Sequence, residues 1–443
     1  MRVLLVSDLA HTGFGRVGRE LGTGLLDRGW DVRIIGINWR GVDGEITSAI
    51  GRGTFGEQAT RIETRLAELR ADPLIERIMP AGAYGDGMGH NLTGPAIRGT
   101  LWPGWKPEAV VVVADPHAMW QRLATDNGAI GEARAAGVPT YNYVPVEGTG
   151  LPAMWRDIYR WVTPVAMSEF GQAQLAALLD EPVALVPHGV STTFHPISAA
   201  RPGRWRGKLV TSKDGAKEAI GFGGRTIILR TDRYVFRKNY PAWFRVLRPV
   251  LADHPDLIAI AHTTPIDDDG RGSIWGLISR EQGATMIGVD NVTGHPVWDH
   301  PQLHLTGHHD SFRGIIDDEL NVLYNAADLM VSTTMAEGFG LCLAESLACG
   351  VPVVATDYSA VPEVVGPGGI LAPVSGLITN AYAHEWALVD EAAMTAAVER
   401  LISKPALRRE LGTAGRRHVA RFTWAAAVDG FDALLRARAA VAA

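Results

Sequence analysis

The residues best placed to do chemistry in this chain lie in the run Glu337-Gly338-Phe339-Gly340-Leu341-Cys342-Leu343-Ala344-Glu345. Two glycines at a turn let the backbone come close to a ligand, and the run from Leu341 to Ala348 reads as a helix. The first N–H groups of a helix have no partner within it, so those of Gly340, Leu341 and their neighbours would point at an anion. Glu345 lies about one helical turn further in, where its carboxylate can accept hydrogen bonds from paired hydroxyls. Glu337 precedes the helix, where a carboxylate can hold a sugar ring. The pattern suits a sugar, a diphosphate and a ribose laid across a helix start.

Two further groups carry chemistry. His117 follows the apolar run Ala109 to Ala114 through Asp115 and Pro116, at the carboxyl edge where ligands bind in open parallel sheets. Gly13-Phe14-Gly15-Arg16-Val17-Gly18 spells G-x-G-x-x-G, a pattern of nicotinamide dehydrogenases. Ser7 to Thr12 separate it from the preceding strand, however. The second strand ends at Gly36-Ile37-Asn38, without the acid that reads a ribose, so the dinucleotide reading fails.

Such groups need rigid elements behind them. Val3–Val6, Val32–Ile37, Ala109–Ala114, Val138–Val144 and Val162–Met167 read as buried strands alternating with helices such as the one carrying Val17, Leu21 and Leu25. The alternation restarts at Thr226–Leu229, Leu257–His262, Leu329–Ser332 and Val353–Ala355, with helices at Pro241–Leu251, Leu320–Ala326 and Leu341–Ala348. This predicts an α/β fold of two doubly wound, Rossmann-like domains. Their expected bounds are 1–192 and 223–423. A link and entry segment rich in Pro, Gly, Arg and Ser covers 193–222, and a final helix covers 424–443. Residues 263–304 read as loops at a sheet edge. A length of 443 residues, 47% hydrophobic and 20% charged, supports two full cores. The net charge of −6 argues against a general nucleic-acid binder. Cys342 and Cys349 fit neither a disulfide scaffold nor a zinc cluster. The opening run Met1–Asp8 is too short for a signal peptide, and no stretch reaches the ~18 apolar residues of a membrane span, so a soluble cytoplasmic enzyme is expected, with peripheral membrane contact left open.

The E-x7-E spacing, continued by Ser346-Leu347-Ala348-Cys349-Gly350-Val351-Pro352-Val353-Val354-Ala355, by Val361-Pro362-Glu363-Val364-Val365-Gly366 and by Gly368-Gly369-Ile370-Leu371, resembles the signature of retaining family 4 glycosyltransferases of GT-B fold. Arg233-Tyr234-Val235-Phe236-Arg237-Lys238-Asn239 resembles that family's R-x4-K-N element, and Leu185-Val186-Pro187-His188-Gly189-Val190 its crossover between domains. The resemblance implies two domains facing a central cleft, the second taking the donor, the first the acceptor, with the last helix returning to the first domain. It implies transfer of a hexose-type sugar from a UDP- or GDP-type donor to an acceptor hydroxyl, with retention and without metal or other cofactor. Arg233 and Lys238 would hold the diphosphate, Glu337 the sugar and Glu345 the ribose. Gly338, Phe339, Gly340 and Leu341 would complete the donor site, with Gly15 near the phosphates. His117 would contact the transferred sugar from the opposite wall. Arg16, Asp115 and Glu147, the last in Tyr143-Val144-Pro145-Val146-Glu147-Gly148, fall on the acceptor side. His308 is a candidate for lining the nucleotide pocket. Asp267-Asp268-Asp269 contains D-x-D, a metal motif of the other glycosyltransferase fold, but in a loop of the second half it reads as solvated.

The acceptor stays open at this level. Glycan, lipid-linked sugar, small metabolite, protein and modified nucleic acid all remain, as do a nucleotide-sugar epimerase, a GT-B phosphorylase and a non-catalytic sugar-nucleotide sensor. No pyridoxal-bearing lysine for a phosphorylase is identifiable.

Overall fold

The computed structural model describes residues 1–9, 13–39, 41, 67, 70–84, 90–123, 129–263, 274–289, 296–306 and 315–442. Among them the first sheet comprises β1 (Arg2–Asp8), β2 (Asp31–Ile37), β3 (Ile78–Pro80), β4 (Ala109–Val113), β5 (Thr140–Val144), β6 (Thr163–Ala166) and β7 (Ala184–Leu185). All run parallel, in the order β3-β2-β1-β4-β5-β6-β7. Val3–Val6 is buried on both faces, which is why it reads as an unbroken apolar run. Helix α1 (Gly13–Asp27) lays Val17, Leu21 and Leu25 on this sheet and contains the whole G-x-G-x-x-G stretch, so these glycines form helix and not a dinucleotide turn.

The chain then crosses to a second unit. Residues 193–222, read from composition as link and entry, carry ordered structure: a hairpin of β8 (Gly203–Trp205) and β9 (Lys208–Val210), then α2 (Lys213–Ala219). Phe194, Ile197, Val210 and Ala216 are buried in the second core. The second sheet is built from β10 (Thr226–Thr231), β11 (Leu257–His262), β14 (Leu303–Leu305), β15 (Leu329–Ser332), β16 (Val353–Thr356) and β17 (Gly369–Ala372), parallel throughout in the order β14-β11-β10-β15-β16-β17. The stretch expected as edge loops holds a helix, Ile274–Gln282, and an antiparallel pair, β12 (Thr285–Val289) with β13 (Pro296–Asp299). Helix α3 (Asp317–Ala326) precedes β15, and α4 (Leu341–Ala348) follows it. After β17 comes an antiparallel hairpin, β18 (Val374–Thr379) and β19 (Glu385–Val389), that sequence patterning had left unassigned.

In each sheet the strand order reverses beside the first strand of the unit, between β1 and β4 and between β10 and β15. Crevices open at the carboxyl ends of such switch points. The two crevices face one cleft, because the start of α1 and the loops leaving β4, β5, β10 and β15 all line it.

The last helix, α5 (Trp424–Ala442), returns to the first domain. Phe431 is fully buried with its ring 4.8 Å from that of Tyr143, Asp429 pairs with Arg28 at 2.6 Å, and Asp432 accepts from the Trp30 indole at 2.6 Å. The two chain crossings lie side by side: the Val190 N–H donates to Phe422 O at 3.0 Å, and a Cβ on Gly189 would sit 2.1 Å from the Trp424 nitrogen. Phe431→Ala should therefore destabilise the first domain by about 3–5 kcal/mol, as deletion of a buried aromatic does. Urea unfolding followed by circular dichroism reads this, and a loss under about 1 kcal/mol would mean the helix is not part of that core.

Candidate active site

Strand β10 ends at Thr231, and the chain turns through Asp232 and Arg233 into a 3-10 turn, Phe236–Lys238. Asn239 closes the turn in the left-handed region, at φ 50°, and caps the next helix. Beneath it lies Arg230, fully buried, its guanidinium 3.9 Å from the Tyr240 ring and hydrogen-bonded to Asp232 (3.2 Å), to Thr333 (2.9 Å) and to the Lys238 carbonyl. That buried cation holds the loop so that Lys238 and Arg237 enter the cleft.

Lys238 Nζ lies 2.5 Å from Glu337 Oε1 and 2.8 Å from Asp232 Oδ1. Arg237 lies 2.9 Å from Glu147 of the first domain and 3.2 Å from Glu337. Burial alone would raise the pKa of Asp232, but Lys238 and Arg230 bring it down to about 2. Burial opposes ionisation of Glu337 too, and Lys238 with Arg237 overcome it, so its pKa is lowered. Glu147 goes the other way. Burial, aided by Asp115 and Glu337, outweighs Arg237 and pushes it up to about 7. Asp115 is likewise raised, by burial against the attraction of His117, Arg237 and Arg233.

Gly340 takes φ 101°, a conformation suited to glycine, and α4 begins at the next residue. Glu345, one turn in, is buried. Its carboxylate accepts from Tyr324 OH at 2.9 Å and from Arg16 of the first domain, while Arg16 also reaches Asp317 at 2.6 Å. Burial raises the pKa of Glu345 despite Arg16. His117 stacks on Tyr382 at the tip of the β18–β19 hairpin, centroids 3.9 Å apart and planes 11° apart.

One cavity of about 820 Å³ gathers these groups. Of the residues singled out from sequence, Gly15, Arg16, Asp115, His117, Glu147, Arg233, Lys238, Glu337, Gly338, Phe339, Gly340, Leu341 and Glu345 all line it. His308 and Asp267–Asp269 lie outside the described residues. Sequence reasoning did not select Arg237, which bridges the two domains, although it stands beside Lys238 in the quoted motif. It also missed Asp232, Tyr382 and His384, which carry no motif, and did not select Tyr324 as a site residue. Asp232 could have been suspected as the acid bordering a basic loop.

A family model described as "Glycosyl transferases group 1" matches residues 301–418. D-inositol 3-phosphate glycosyltransferase of Segniliparus rotundus is 38% identical over 119 residues, 27% of this chain and 24% of that protein. MMP alpha-(1->4)-mannosyltransferase of Mycolicibacterium hassiacum is 39% identical over 112 residues, 25% of each. The chain thus spans about a quarter of the length of these relatives, and the family model's match lies within the second domain. Among solved structures, the sucrose-phosphate synthase of Thermosynechococcus elongatus superposes over 100% of both chains with a TM-score of 0.61 at 17% identity. An Anabaena protein in complex with UDP and glucose covers 99% of this chain and 100% of its own, with a TM-score of 0.62 at 12% identity.

The fold is GT-B. Two parallel-sheet domains, the cleft between them and the returning helix match that architecture along the whole chain. Among the described residues no helix is long and apolar enough to cross a membrane.

Glu147 gives a pH test of the site. Its folded pKa of about 7 lies above the ordinary 4.5 of a glutamate, so ionising it costs more in the folded protein. Stability linked to this group is complete below the unfolded pKa and is lost as pH rises through the folded one. Between pH 4.5 and pH 8 the parent protein should therefore lose on the order of 2–3 kcal/mol relative to Glu147→Gln. Urea titrations of both proteins across that range check it. Parallel stability curves would show that Glu147 is ionised normally.

Proposed function

We propose that this protein is a retaining, family 4-type glycosyltransferase that moves a hexose-type sugar from a nucleoside diphosphate sugar to an acceptor hydroxyl. The observation that carries the proposal is the convergence of Arg233, Arg237, Lys238, Glu337 and Glu345 around the start of α4, inside one interdomain cavity. In this reading the donor diphosphate lies across the helix start after Gly340, with Lys238 and Arg233 offsetting its charge and the charge that grows on the leaving phosphate. Glu337 orients the sugar hydroxyls. Glu345 takes the ribose hydroxyls once Arg16 releases it, and Arg16 is then available to a phosphate. His117 meets the sugar from the first domain.

No residue of the cleft is assigned as a nucleophile. The acceptor attacks the face that the diphosphate leaves, and the leaving phosphate oxygen assists removal of the acceptor proton. Cationic side chains supply the charge stabilisation that other transferases take from a divalent ion, so the reaction is proposed to need no metal. A uridine diphosphate sugar is the first donor to test, because the Anabaena structure holds UDP and glucose. GDP-mannose is the second, because relatives include a mannosyltransferase.

Arg233 is exposed along the cleft, so its loss should spare the fold. Arg233→Ala is expected to lower turnover by roughly 100-fold or more, as removal of one transition-state charge partner does, with an unchanged melting temperature. Glu337→Gln should abolish transfer. Undiminished turnover in both variants would refute the assignment. A melting-temperature screen of UDP, GDP and their sugars identifies the donor, since ligand that binds only the folded state raises the midpoint. Incubation with donor alone separates the epimerase reading, which predicts an epimerised nucleotide sugar. Activity measured in excess EDTA should equal that without it; a loss restored by Mg²⁺ or Mn²⁺ would overturn the metal-independent mechanism.

A further inference from the structure

The β18–β19 hairpin belongs to the second domain, yet its end lies against the first. The Glu385 N–H donates to Thr149 O at 2.9 Å, an antiparallel bridge between domains, and the Tyr358 hydroxyl lies 2.9 Å from both Glu385 O and Thr149 Oγ1. The loop at its tip is ordered from within. The Asn380 side chain accepts from the Tyr382 N–H at 2.8 Å and from the His384 N–H at 3.3 Å, and Ala383 adopts a left-handed φ of 61°. A loop so fixed presents its side chains in a set geometry.

Those side chains make an aromatic row along the wall of the cavity. Tyr382 lies on His117 at 3.9 Å, His384 packs edge-on to Trp155 at 5.4 Å, and Trp386 lies 6.3 Å from Phe236. The carboxyl groups of Asp115 and Glu147 line the same cavity. Flat apolar faces beside hydroxyl-accepting carboxylates suit a sugar ring, whose C–H faces and hydroxyl rim match the two kinds of wall. Both ring nitrogens of His384 and the indole nitrogen of Trp386 are buried, with no hydrogen-bond partner among the described residues. Buried polar atoms without partners are rare, and a ligand bearing hydroxyls has the chemistry to satisfy them.

Charge narrows the choice. Arg237 is engaged by Glu147 and Glu337, and Lys238 by Glu337 and Asp232, while Arg233 is assigned above to the donor. An acceptor phosphate seated under the hairpin would have to compete with Glu147 and Glu337 for Arg237, and with the donor for Arg233. Resting on the glycosyltransferase reading, we propose that the hairpin tip forms an acceptor subsite, with Tyr382 as its specificity-determining residue, and that this subsite takes an uncharged glycoside ring and not a sugar phosphate.

The full-length protein is titrated with methyl α-D-glucopyranoside, methyl α-D-mannopyranoside, maltose, glucose 6-phosphate and mannose 6-phosphate, with and without UDP or GDP. Binding is read by saturation-transfer NMR. At least one neutral glycoside should bind tenfold or more tightly than either phosphate. Tyr382→Ala should weaken it at least tenfold, and Tyr382→Phe should restore it. Leu377→Ala, on an exposed position of the hairpin stem, controls for general damage to the hairpin. Tyr382 is itself exposed at the tip, so its replacement does not open the core. Equal or tighter binding of the phosphates, no binding of any neutral glycoside, or binding indifferent to Tyr382→Ala would each overturn the subsite. Failure of both nucleotides to bind would instead remove the transferase reading, and the glycoside arms are read independently of it.

Discussion

Charge balance inside the cleft is the constraint on which the rest of this structure depends. Lys238 and Arg237 sit among three carboxylates, Asp232 and Glu337 of the second domain and Glu147 of the first. Buried ions are tolerable only when paired, and removing one member leaves its partner uncompensated. The network therefore does two things at once. It keeps cations in a position that faces a helix start, and it ties the two domains across the cleft through Arg237. The Arg16–Glu345 contact ties the domains a second time with the polarity reversed, a first-domain arginine on a second-domain acid. Carboxylates engage these cations, so any anion that enters the cleft must exchange partners with them.

The sheets explain why these charges meet. Each active loop leaves the carboxyl end of a buried parallel strand next to a switch in strand order, so the loops emerge on one side of each domain and those sides oppose one another. Arg230 beneath the β10 loop shows the investment made in rigidity. A fully buried guanidinium is costly unless each donor is satisfied, and here Asp232, Thr333 and a backbone carbonyl satisfy it while Tyr240 covers its face.

Much of this was legible beforehand, and for physical reasons. Continuous apolar runs such as Val3–Val6 and Val110–Val113 can only be strands covered on both faces, and their alternation with helices leaves few architectures. The cleft residues of the second domain were legible because Glu337 to Glu345 and Arg233 to Asn239 are contiguous, so each local segment carries its own geometry. Contacts between distant segments were not. Nothing local to Arg237 says that Glu147, ninety positions away, will be its partner. Tyr382 and His384 acquire meaning only because the hairpin folds across to His117 and Trp155. The G-x-G-x-x-G string misleads for the complementary reason, since the same letters serve a helix packed tightly on its sheet.

Two peptide segments join the domains, and they touch where they pass. Val190 is hydrogen-bonded to Phe422, and Gly189 lies so near the Trp424 nitrogen that no side chain fits between them. A pair of strands bonded side by side behaves as an axle: torsion about their common line disturbs little, while sliding one lobe past the other would tear the bond apart. A swing about that line would first have to open the Arg237–Glu147, Arg16–Glu345 and Thr149–Glu385 contacts, and it would change the gap at the far rim of the cleft more than at the pivot.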